Sequence, residues 1–145
     1  MKITRIDHVA VCVASIEVAM PAWMQLLGLA AGPREFVAAQ KTEAAFLLTP
    51  EEAGACVELI MPKGGNGGLE KFLERCQGRA GLHHIAFAVD DLATALRELD
   101  ARGVALIDKV PRPGARGHQV GFLHPRATDG VLIELVSDHG TSGEK

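Results

Sequence analysis

Leu82-His83-His84-Ile85-Ala86-Phe87-Ala88-Val89 repeats, with conservative changes, a stretch near the start of the chain: Ile6-Asp7-His8-Val9-Ala10-Val11-Cys12-Val13. His8 and His84 stand 76 positions apart, and the same shift carries Val57-Glu58-Leu59 onto Ile133-Glu134-Leu135. In each copy the Glu follows the His by 50 residues. The quoted stretches alternate as strands do. In the first, His8, Ala10 and Cys12 share one face and Val9, Val11 and Val13 the other.

Ser15 is placed to cap a helix from about Ile16 to Leu27, whose apolar positions Ile16, Ala19, Met20, Trp23 and Leu27 follow helical spacing and which Gly28 ends. Strands are expected near 34–39, 43–49 and 55–61, with a turn at Pro50-Glu51-Glu52-Ala53-Gly54. The second copy repeats the plan. A strand covers 82–89, Asp90 or Asp91 caps a helix through Arg102, Gly103 stops it, and strands follow near 104–109, 118–123 and 131–137. Gly-rich Pro62 to Gly68 and a short helix from Leu69 to Cys76 join the copies. Each half reads βαβββ. A half this small has a marginal core alone. The expected fold is therefore α+β: two βαβββ modules related by pseudo-twofold symmetry, with a mixed sheet curled into an open half-barrel around a metal site. It forms one domain over 1–145, with modules at approximately 1–62 and 81–138, a linker at 63–80, and a polar, frayed tail from Asp138.

Composition narrows the function classes. Of 145 residues 48% are hydrophobic and 23% charged, the profile of a soluble globular domain. A formal net charge of -3 offers no basic footprint for nucleic acid. Apolar runs fall short of a membrane span, and Met1 to Arg5 lead straight into the first strand, so neither anchor nor leader is expected. Cys12, Cys56 and Cys76 are odd in number and scattered, as reduced thiols of a cytoplasmic protein are. Neither a Walker nor a dinucleotide glycine pattern is present.

The repeated His and Glu carry the chemistry. Singly, a strand His is more often packed than ligating and a strand Glu is more often solvated. Their recurrence at one shift, with apolar neighbours on both sides of each Glu, changes the weighting, because a half-buried carboxylate is costly without a partner. His8, Glu58, His84 and Glu134 are therefore expected to bind one divalent ion per chain, of Co, Mn, Ni, Zn or Fe type. Four protein ligands on an octahedral ion leave two positions for a chelating substrate. His83 alternates to the face away from His84 and is expected to be structural.

Residues Ile6 to Ala10, Val57 to Leu59, Gly81 to Phe87, Val89 to Asp91, Pro111-Arg112-Pro113-Gly114-Ala115, Phe122 to Pro125 and Gly130 to Leu135 resemble the vicinal oxygen chelate superfamily. That superfamily embraces glyoxalase, bleomycin-resistance and extradiol dioxygenase relatives. Within it the resemblance is to the methylmalonyl-CoA epimerase family, over nearly the whole chain but weakest across 29–54. The resemblance places the ligands on the same four residues. It differs at Glu58, where some members carry Gln. It implies a homodimer acting on an acyl-CoA thioester, interconverting (R)- and (S)-methylmalonyl-CoA by α-proton abstraction through an enolate held on the metal. Inversion favours two acid/base groups flanking the carbon, and Glu134 and Glu58 are expected to be that pair. Some epimerases use a Glu on a first-half strand, for which Glu43 is the nearest candidate; a solvated strand-start residue is the competing reading. Arg112 and Arg116 fall in an expected flexible hairpin loop, Lys109 to His118, as contacts for CoA phosphates or the substrate carboxylate or as solvated loop residues. His124 is expected to fix a turn. The alternatives on the same fold are a lactoylglutathione lyase and a metal-free small-molecule binding or resistance protein.

Overall fold

The structure, a computed structural model, describes residues 1–50 and 54–138. The middle of the expected Pro50–Gly54 turn and the tail beyond Asp138 lie outside the described residues. The chain divides into two compact units, His8–His83 and Met1–Asp7 with the segment from His84 onward. The chain passes between them just before each repeated histidine.

The first module runs β1 (Ile3–Cys12), α1 (Ile16–Leu27), β2 (Ala30–Val37), β3 (Thr42–Leu48) and β4 (Cys56–Pro62), followed by α2 (Gly67–Arg75). Its strands lie in the order β2-β3-β4-β1, with β1 parallel to β4 and the other pairs antiparallel. Ser15 caps α1 by accepting from Val18 N, and Gly28 closes it at φ 68°, a left-handed conformation that costs glycine little. The second module runs β5 (Gly81–Val89), α3 (Leu92–Ala101), β6 (Arg112–Pro113), β7 (Gln119–Leu123) and β8 (Ile133–Ser137). Its order is β5-β8-β7-β6, again with one parallel pair, β5 with β8. Asp91, not Asp90, is the cap of α3 and accepts from Thr94 N at 3.0 Å. The α+β class and the twin βαβββ order are as expected from the repeat.

Each half-sheet has a helix face and an open face. In the first module α1 packs on Val11, Val13, Ala45, Leu47 and Leu59. In the second α3 packs on Val89, Leu123 and Leu135. The helix and sheet approach closely at Gly121, where an added Cβ would lie 2.8 Å from Leu96 Cδ1. Strand alternation sends the neighbouring residues to the opposite face. His8, Ala10, Phe46 and Glu58 stand there in the first module. His84, Ala86, Phe122 and Glu134 stand there in the second, beside Val120 and Val136.

Two strand expectations need correction. The strand placed at 34–39 begins at Ala30 and ends at Val37, with a register shift between Ala31 and Arg34 at Gly32-Pro33; 38–40 is a 3-10 turn closed by Lys41 at φ 48°. The strand placed at 104–109 is only an isolated bridge, Leu106 to Leu123. Successive amides of Ile107 and Asp108 both donate to Phe122 O, and the Asp108 carboxylate accepts from Phe122 N at 2.8 Å. Two adjacent amides converging on one carbonyl break the alternation a ladder needs. The pairing strand is instead the two-residue β6, inside the segment expected to be a flexible loop.

Candidate metal centre

Parallel pairing of first and last strands joins residues that are far apart in sequence. In the first module Ala10 on β1 is opposite Glu58 on β4, and Glu58 is opposite Phe46 on β3. His8 is two residues back on the same face, and its Nε2 lies 2.7 Å from Glu58 Oε2. The Phe46 ring meets the His8 ring edge-on, with centroids 6.1 Å apart at 87°. In the second module Ala86 is opposite Glu134, and Glu134 is opposite Phe122. His84 Nε2 lies 3.6 Å from Glu134 Oε2, and Phe122 stands edge-on to His84 at 5.2 Å and 88°. All four polar residues are buried, at 3% to 7% exposure.

The repeat therefore extends beyond the four polar residues to the side chains packed around them. Phe46 and Phe122 keep the same 76-residue shift, as do Ala10 and Ala86. The small Ala leaves room beside each Glu, and the Phe edge fixes the imidazole plane. The signal was present in the sequence, but a strand Phe reads as ordinary core without the register.

The donor set suits a divalent ion. Ligand atoms each about 2.1 Å from an ion stand roughly 3 Å apart across a right angle. The two His–Glu spacings bracket that value. Imidazole with carboxylate is borderline-metal chemistry, and burial makes a carboxylate without a compensating charge costly. Cys12, on the same face as His8, adds no thiolate: burial pushes its pKa up to about 11.

The other expected residues fall elsewhere. Glu43 is neither solvated nor on the open face. It is 7% exposed and, three residues before Phe46, points to the helix side. There it accepts from Arg34 Nε at 3.1 Å and Lys63 Nζ at 3.3 Å. Burial pushes its pKa up, but the bonds from Arg34 and Lys63 together outweigh that and hold it below the usual carboxylate value. Arg34 is held in turn by Glu17 on α1. His83 turns away as expected and packs edge-on against Phe72 at 4.9 Å; burial lowers its pKa. His124 fixes a turn by accepting from Arg126 N at 3.1 Å. Arg116, at φ 57°, reaches the buried carboxylate of Asp7 at 2.6 Å, which Arg5 also contacts. Arg112 pairs with Asp108 at 3.0 Å and lies over the Phe122 ring at 5.4 Å.

Known proteins share this arrangement of elements. Residues 7–122 match the family model of the glyoxalase/bleomycin resistance protein/dioxygenase superfamily. The chain belongs to that superfamily. It is 41% identical to the uncharacterized protein YqjC of Bacillus subtilis, over 94% of each chain. It is 31% identical to the ethylmalonyl-CoA/methylmalonyl-CoA epimerase of Cereibacter sphaeroides, over 92% of this chain and 97% of the relative. The crystal structure of methylmalonyl-CoA epimerase from Mycobacterium tuberculosis superposes with a TM-score of 0.87 at 33% identity, over 94% of this chain and 89% of that one.

Proposed function

We propose that this protein is a metal-dependent epimerase of 2-methylmalonyl-CoA or a near 2-alkylmalonyl thioester. The observation that carries the reading is the duplicated buried pair, His8 with Glu58 and His84 with Glu134, each on the helix-free face of its half-sheet. Relatives named for this epimerase favour it over a lactoylglutathione lyase or a metal-free binding protein.

His8, Glu58, His84 and Glu134 would hold one divalent ion. A bound ion would supply positive charge beside the thioester oxygen as the α-carbon loses its proton. The residues do the rest. Inversion needs a proton taken from one side of the α-carbon and returned from the other. Glu134, ionised, takes the proton and Glu58, starting protonated, delivers its own proton from the opposite side; this leaves Glu134 protonated and Glu58 ionised, the state that serves the reverse direction. Phe46, Phe122 and the two alanines are buried beside the pairs and would shield the carbanion from bulk water. No described helix is long and apolar enough to cross a membrane. We place the protein in the cytoplasm as a homodimer.

The test is solvent exchange. In deuterated water, metal-loaded protein is expected to put deuterium at the α-carbon of methylmalonyl-CoA, to stop with a chelator, and to resume with Co or Mn. Absence of exchange above background refutes the assignment. Glu134→Gln is expected to slow exchange about a hundredfold or more, the scale of a general acid/base group. A near-native rate removes Glu134 from proton transfer.

A further inference from the structure

We propose that Arg112 is the substrate-binding residue that holds the free carboxylate of the acyl group. The proposal rests on the epimerase reading and adds the group that tells the two ends of the malonyl unit apart.

Three observations carry it. First, Arg112 is on the correct face. It is opposite Val120 on β7, and Val120 shares the open face with Phe122, Glu134 and Ala86. The guanidinium lies over the Phe122 ring at 5.4 Å, and that same ring packs T-shaped against His84 with centroids 5.2 Å apart. The cation and a proposed ligand thus contact one and the same aromatic ring. That is the distance scale of an acyl group, whereas the CoA phosphates lie a whole pantetheine arm away from the thioester.

Second, the guanidinium is aimed and still available. Asp108 contacts it through Nε, and Asp108 is itself fixed by the Phe122 amide. Pro111 and Pro113 flank the residue and stiffen its backbone. Among the described residues, the Nη groups have no ion-pair or hydrogen-bond partner, and the side chain is 34% exposed. The Nη groups are the pair of donors that matches a carboxylate. Arg116, its neighbour in the same segment, is committed to Asp7 and is not the equivalent.

Third, the repeat is broken at this place. Val120 corresponds to Ala44 by the 76-residue shift, and the residue opposite Ala44 is Glu35. At matching register, one half-sheet carries an anion and the other a cation. A thioester at one end and a carboxylate at the other need such an asymmetry, which the four duplicated residues do not provide.

The test compares ligands with and without the acyl carboxylate, using metal-loaded wild type, Arg112→Gln and Arg112→Lys. For Arg112→Gln, KM for methylmalonyl-CoA is expected to rise about tenfold or more, the loss typical of a hydrogen bond to a charged group. Inhibition by propionyl-CoA, which lacks the carboxylate, is expected to stay within about twofold of wild type. Arg112→Lys is expected to recover part of the difference. Equal losses for both thioesters would mean a phosphate contact or a purely structural role and would overturn the proposal, as would unchanged values for both. If wild type exchanges no α-proton, the epimerase reading falls, and Arg112 is judged on malonate alone. Malonate should raise the Tm of wild type but not of Arg112→Gln, and equal shifts overturn the proposal.

Discussion

Glu43 shows how a single residue's surroundings decide its work. A carboxylate at 7% exposure is tolerable only because Arg34 and Lys63 bond to it from the helix side of the sheet. Its pKa is held below the ordinary value, so its contribution to stability is complete above the unfolded-state pKa of about 4 and fades as pH falls through the lower folded value. Glu43→Gln is therefore expected to cost about 1 kcal/mol near neutral pH, a modest figure because both cations are partly exposed. The gap in Tm from wild type should close below about pH 4. Solvent exchange by metal-loaded Glu43→Gln should remain near wild type, because the residue faces away from His8 and Glu58. Thermal melts across pH, with one exchange assay, check both expectations. A tenfold loss of exchange without loss of stability would return Glu43 to the chemistry. Sequence could not settle this residue: a Glu at a strand start has the same signature whether it meets water or two cations on neighbouring elements.

At the scale of elements, legibility followed the range of the forces involved. Helix ends were read to the residue at Ser15 and Gly28, because capping is decided by local backbone and one side chain. The first strands of both copies were read because alternation is local too. The segment from Val104 to His118 was misread, since the Asp108 carboxylate on the Phe122 amide diverts the chain, and nothing local announces a bond over that separation. Gly121 is a comparable case. It corresponds to Ala45 in the first module, and the helix–sheet spacing shows why it is smaller still: a Cβ would stand only 2.8 Å from Leu96 Cδ1. Gly121→Val is expected to destabilise the fold by about 1–3 kcal/mol, the usual cost of overpacking. Leu96→Ala in the same chain should recover part of that loss. Denaturant melts of the single and double variants measure it, and an unchanged midpoint in Gly121→Val would show that α3 is not held at this distance.

The whole molecule reuses one motif twice, which is why its candidate site was legible in outline. A lone His8 or Glu58 carries little information, but a buried His–Glu pair recurring in His84 and Glu134 identifies four residues at once. The expected stoichiometry of one ion per chain is open to test, because each unit owns a His–Glu pair of its own: His8 with Glu58, His84 with Glu134. Two protein ligands make a weak site, since each ion would keep most of its water and each buried carboxylate would keep a charge it does not share. Four ligands from both pairs on one ion satisfy two carboxylates and two imidazoles together. Titration with Co, followed by its visible absorption and by calorimetry, is therefore expected to saturate at one ion per chain. His8→Ala and His84→Ala should each weaken binding of that same ion by about tenfold or more, the smaller end of losses seen even for outer-shell partners. The ion should also raise the Tm of wild type through binding linkage, and by much less in either variant. Saturation at two ions, or a histidine variant that keeps one full-affinity ion, would assign each pair a separate metal and overturn the proposed four-ligand site.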